Sequence, residues 1–133
     1  MFHTPLLPAG WPRPKGYANG VAVRSGRMVF LAGQIGWDEQ GRFPAGGLVP
    51  QTRQALKNIL AVLAEGGAGP QDIVRMTWYV TSRRDYLAAA RDIGALYREF
   101  IPNYTVAMSA VEVSALMEDA AVVEIEVTAV VPE

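Results

Sequence analysis

The sequence contains no cysteine. That excludes disulfides, thiolate nucleophiles and cysteine-based zinc or iron–sulfur sites, and it suits a reducing compartment. It contains one histidine, His3. A lone imidazole near a terminus is expected to be solvated, and it cannot build a Ser/His/Asp set or a metal centre without partners. No H-E-x-x-H, phosphate-binding loop or dinucleotide fingerprint occurs, so no metal or organic cofactor is expected. A basic surplus is also missing. Lys and Arg total 12 against 13 Asp and Glu, for a net charge of -1. Nucleic-acid binding draws its affinity from neutralised phosphates, so this balance argues against it. Arg83-Arg84 is the only basic doublet and reads as solvated surface. Apolar runs are short, each broken by Gly, Arg or Glu, so none spans a bilayer. The N-terminus lacks the pattern of a signal peptide. A cytoplasmic location is expected.

What is there fits a single globular domain over residues 1–133. Half of the 133 residues are hydrophobic and 19% are charged. Residues 1–15 form a proline-rich arm, with Pro5, Pro8, Pro12 and Pro14 favouring extended or looped backbone. Val21–Val23 and Met28–Ala32 flank Ser25-Gly26-Arg27 and read as a hairpin. Gly33 to Gly47 holds five glycines and reads as a loop. From Pro50 to Gly66, Leu56, Ile59, Leu60 and Leu63 share one face of a helix that Gly66-Gly67 stops.

Ile73 to Thr81 reads as a strand, with Val74, Met76, Trp78 and Val80 on one face and Arg75, Thr77 and Tyr79 on the other. Ser82 to Asp85 has capping-box spacing and opens a second helix reaching about Phe100. Strands within Thr105–Val113 and over Val122–Val131 complete a β-β-α-β-α-β-β order. That order predicts a two-layer α+β domain, with two helices on one face of a mixed sheet. The other sheet face would leave an apolar patch near Trp78 and Met76, which a homo-oligomer would cover.

Glu124 and Glu126 alternate with valine and isoleucine in the last strand, so both point to one face. They either meet solvent or an interface arginine, or one of them lines a site and holds a water for acid–base work. Glu112 could join them from an adjacent strand. Tyr17, beside Gly16, could set its hydroxyl over a ligand or simply pack.

Five segments in order resemble the RidA/YjgF family. Gly16-Tyr17-Ala18-Asn19-Gly20-Val21 is similar to its G-P-Y-S-Q-A-V segment, and Val29 to Ile35 to its V-F-x-S-G-Q-I-P strand end. Gln51 to Ile59 resembles its Q-T-x-Q-x-L-x-N helix start, Asp72 to Thr77 its D-V-V-K-x-T strand and Val123 to Glu126 its V-E-I-E close. The resemblance implies a chorismate-mutase-like fold and a homotrimer with ligand clefts between subunits. It implies a cofactor-free deaminase, a hydrolase of enamines and imines, in which Glu124 is the catalytic residue. Tyr17, Ala32, Gly33, Gly94, Met108 and Ala110 fall at the family's substrate-binding positions. Several of these depart from the family's pattern. Met108 stands where the carboxylate-binding arginine is expected, Ala32 where serine is, Gly94 where asparagine is, and Ala110 where some members have cysteine. A thioether cannot replace a guanidinium fork. The expected function is therefore hydrolysis of a small-molecule imine with altered specificity, or else a non-catalytic metabolite-binding or regulatory module. RNA cleavage finds no chemistry in this composition.

Overall fold

A computed structural model describes residues 2–102 and 105–133. The strands are β1 (His3–Leu6), β2 (Gly20–Val23), β3 (Arg27–Phe30), β4 (Gln34–Ile35), β5 (Ile73–Val80), β6 (Ala107–Glu112) and β7 (Val123–Val131). The helices are α1 (Leu48–Glu65), α2 (Arg83–Ala88) and α3 (Ala90–Phe100), with a 3₁₀ turn at Pro70–Asp72. The main sheet runs β3-β7-β5-β6, with β4 also on β7. β5 and β6 are parallel, which requires the crossover that α2 and α3 provide. No described helix is long and apolar enough to cross a membrane.

The two central strands follow their alternation. In β7, Val123, Ile125, Val127 and Ala129 are all buried beneath the helices. α1 presents Ala55, Leu56, Ile59 and Leu63 to them, the face its 3.6-residue period creates. It stops where expected: Gly67 is left-handed, its N–H reaches Ala64 O, and the Ala68 N–H reaches Leu63 O.

Several expectations fail for identifiable reasons. Val21–Val23 and Met28–Ala32 form no hairpin. β2 pairs with β1 and β3 with β7, so the turn at Ser25-Gly26 carries the chain from one sheet to another. The arm is extended where it supplies β1, as its prolines allow, but its His3 is buried at 8% exposure rather than solvated. The Gly33–Gly47 loop contains β4. In β5, Ile73 joins Met76, Trp78 and Val80 inside, while Val74 is displaced by a β-bulge that shifts the register between Ile73 and Arg75. The second helix breaks at Ala89 into α2 and α3. Ser82 does cap α2, accepting a hydrogen bond from the Asp85 N–H at 3.1 Å.

The open sheet face is not built from Trp78 and Met76, which lie in the core at 1% and 0% exposure. It carries exposed Met28 and Phe30 with Thr77, Tyr79, Val111, Glu124 and Glu126.

Candidate functional site

The expected site residues fall into two groups. One surrounds a cavity of about 250 Å³ between α3, the start of β6 and residues 15–17. Trp78, Tyr86 and Tyr97 form its aromatic floor, and Ile93 and Met108 its aliphatic wall. The Trp78 ring meets Tyr86 at 6.2 Å and Tyr97 at 6.5 Å between centroids. Burial pushes the Tyr86 phenol up, so that hydroxyl stays a neutral donor. Tyr17, Gly94 and Met108 all line this cavity. Tyr17 is held there by backbone. The Ala18 N–H donates to Val106 O at 2.9 Å, and Ala18 forms a parallel bridge to Ala107. Residues 15–17 are thereby pinned to the start of β6, one residue before Met108. Lys15 and Arg98 complete the rim.

The second group lies on the open face of the sheet. Glu124 stands opposite Ile35 on β4 and Tyr79 on β5. Its carboxylate lies against the Gly33 backbone so closely that any Cβ at position 33 would collide with it. Ala32 is exposed next to it, its carbonyl accepting from Gln34 Nε2 at 3.1 Å. Glu126 differs from Glu124. It accepts a hydrogen bond from the Tyr79 hydroxyl at 3.1 Å, and that bond holds the Tyr79 pKa above its ordinary value. Among the described residues, the Glu124 carboxylate accepts no hydrogen bond and forms no ion pair. Glu112 does not join this pair. It pairs with Val80 on the helix side, and its carboxylate accepts the Arg83 N–H at 2.7 Å, tying down the start of α2. Ala110 pairs with Trp78, is exposed, and does not line the cavity.

One chain therefore brings Tyr17, Gly94 and Met108 together and keeps Glu124, Gly33 and Ala32 on the sheet's other face. Sequence reasoning missed the aromatic floor, because Trp78 read only as a sheet residue. It also missed the work of the polar residues on α1. Buried Gln51 donates to Ala120 O at 2.8 Å and accepts from Val122 N at 2.9 Å. Asn58 donates to Ile35 O and Trp37 O at 3.0 and 2.8 Å. These side chains fix the ends of β7 and β4, and so the setting of Glu124. The signal was present as three amides at helical spacing on α1, Gln51, Gln54 and Asn58.

No group of three or more His, Asp or Glu side chains among the described residues could hold a metal ion.

Residues 12–131 match the family model described as Endoribonuclease L-PSP. A RutC family protein of Pyrococcus abyssi is 36% identical over 110 residues, covering 81% of this chain and 82% of that one. The 2-iminobutanoate/2-iminopropanoate deaminase of Mus musculus is 30% identical over 110 residues, covering 82% of this chain and 78% of its own. Among solved structures, YyfB of the Rid protein family from Yersinia pestis superposes with a TM-score of 0.82 at 35% identity, covering 98% of this chain and all of the other. In sequence and in fold alike, this chain belongs to the Rid (RidA/YjgF) family.

Proposed function

We propose that the protein hydrolyses a reactive enamine or imine of small size, releasing ammonia and a carbonyl compound, in a cleft formed between copies of the chain. The observation that carries this reading is the unengaged Glu124 carboxylate seated on the Gly33 backbone. A carboxylate without a competing partner is available to take a proton from water. The water oxygen adds to the imine carbon as Glu124 receives a proton. Glu124 passes that proton to the nitrogen, which completes the carbinolamine; it then carries the hydroxyl proton to the same nitrogen as the C–N bond breaks, so ammonia leaves and a C=O group remains. Atoms balance with water as the sole co-reactant. The deaminase named among the relatives supports the reaction class.

The two groups of site residues lie on opposite faces of one sheet, so a complete site needs Glu124 from one copy and the Tyr17–Met108 cavity from another. A homotrimer, the family expectation, supplies that arrangement, and the exposed Phe30 and Met28 beside Glu124 give it an apolar surface to bury. The net charge of -1 gives no support to RNA cleavage. A cytoplasmic setting fits the absence of cysteine.

Met108 favours a second reading, a non-catalytic metabolite-binding or regulatory module. The deciding experiment is ammonia release from freshly generated 2-aminoacrylate and 2-iminobutanoate, with wild type and Glu124→Ala. Acceleration that disappears in Glu124→Ala is expected. No acceleration at high protein concentration, repeated with uncarboxylated imines, would leave the binding module as the function.

A further inference from the structure

The residues lining the cavity beside β6 include two cations, Lys15 and Arg98, and no carboxylate. Arg98 forms no ion pair among the described residues; the two that exist belong to Arg42 and Arg53. Its guanidinium instead lies back along α3. A Cβ added at Gly94, one turn earlier, would stand 3.4 Å from Arg98 Nη1. The missing side chain at position 94 thus leaves the ground the guanidinium covers. Trp78 lines the same cavity, and its Nε1–H is buried with no described acceptor. A guanidinium without an ion pair, lining a cavity that has no carboxylate among its lining residues, is short of acceptors.

We propose that Arg98 is the anion anchor of this cavity. It grips the carboxylate of a small ligand whose aromatic or branched body packs on Met108, Trp78 and Tyr86. A guanidinium fork matches a carboxylate in two parallel hydrogen bonds. The thioether at 108 turns the neighbouring wall apolar, and about 250 Å³ admits only a small body. The charge lost from the sheet at position 108 is thereby returned from the helix at position 98. This assignment rests on reading the cavity as the substrate end of the site, but the binding it asserts requires no turnover.

The test is calorimetric titration of the full chain with 3-phenylpropanoate, its neutral amide and inorganic phosphate. The proteins are wild type, Arg98→Gln and the double variant Arg98→Gln/Met108→Arg. Wild type is expected to bind the carboxylate at least about tenfold more tightly than the amide, the scale of one charge-assisted pair. Arg98→Gln should bring that ratio to about one while amide affinity holds. The double variant should restore the preference, since position 108 lines the same cavity. Arg98 is exposed, and thermal melts check that Arg98→Gln is folded. The anchor is overturned by a ratio unchanged in Arg98→Gln, by no carboxylate preference in wild type, by no binding of either ligand at millimolar concentration, or by phosphate binding more tightly than the carboxylate. An Arg98-dependent preference without ammonia release would sink the hydrolase and leave the anchor standing. Ammonia release with an Arg98-independent ratio would do the reverse.

Discussion

Glu124 and Glu126 stand two residues apart on one face of β7, and their neighbours give them different work. The Tyr79 hydroxyl occupies Glu126. Glu124 has the Gly33 backbone beneath it and no hydrogen-bond donor among the described residues. Glu124→Gln should therefore fold normally and lower ammonia release by about a hundredfold or more, the usual scale for a positioned base. Glu126→Gln should leave most of the rate, and steady-state kinetics on the two variants separate them. Gly33→Ala should destabilise the protein by about 1–3 kcal/mol in urea unfolding, the cost of forcing a methyl group into occupied space. Adding Glu124→Ala to Gly33→Ala should recover much of that stability and none of the activity, since the two side chains compete for one volume.

At the level of elements, amides hold the frame in place. Gln51→Ala strips partners from Ala120 O and Val122 N together, and should cost about 2 kcal/mol by denaturant titration. Arg53 on α1 pairs with Glu99 on α3 at 2.7 Å and holds the Glu99 carboxyl below its ordinary value near 4.5. That lowered pKa means the pair contributes above the unfolded value and fades as pH falls below it. Arg53→Met should flatten the acid limb of a stability–pH curve, an effect screened by salt at this exposed position.

The sequence made α1, β5 and β7 readable, because their burial follows a period set by the chain itself. Partner choice was not readable. The segments around Ser25-Gly26 have hairpin chemistry on both sides, yet β7 and β1 outcompete each for the other, and no local pattern encodes that. The bulge at Val74 and the break at Ala89 likewise answer to neighbours rather than to propensity. For the site, Tyr17, Gly94 and Met108 line one cavity, while Glu124, Gly33 and Ala32 lie on the other face of the sheet. What the sequence could not supply is the place of Arg98, which lines the cavity with Gly94 as open ground one turn before it.

For the whole molecule, the exposed sheet face is where the proposed assembly is tested. Phe30 is 70% exposed beside the strand that carries Glu124, a poor arrangement for a lone chain in water. Sedimentation should give a mass of three chains. Phe30→Asp should shift it toward one chain and remove ammonia release with it, because Glu124 and the cavity would part company. A variant that runs as a single chain and keeps full activity would show that one copy suffices.

The contact between position 33 and position 124 also gives substitution a direction. While the glutamate keeps this rotamer, any side chain at position 33 meets it. Once the glutamate is shortened, the vacated ground can be filled. In a lineage that has filled it, a returning acid meets the new side chain and has to take another rotamer. Loss of the carboxylate thus meets no obstacle, while its return to the same position over residue 33 also needs the glycine back, which makes the pair a ratchet.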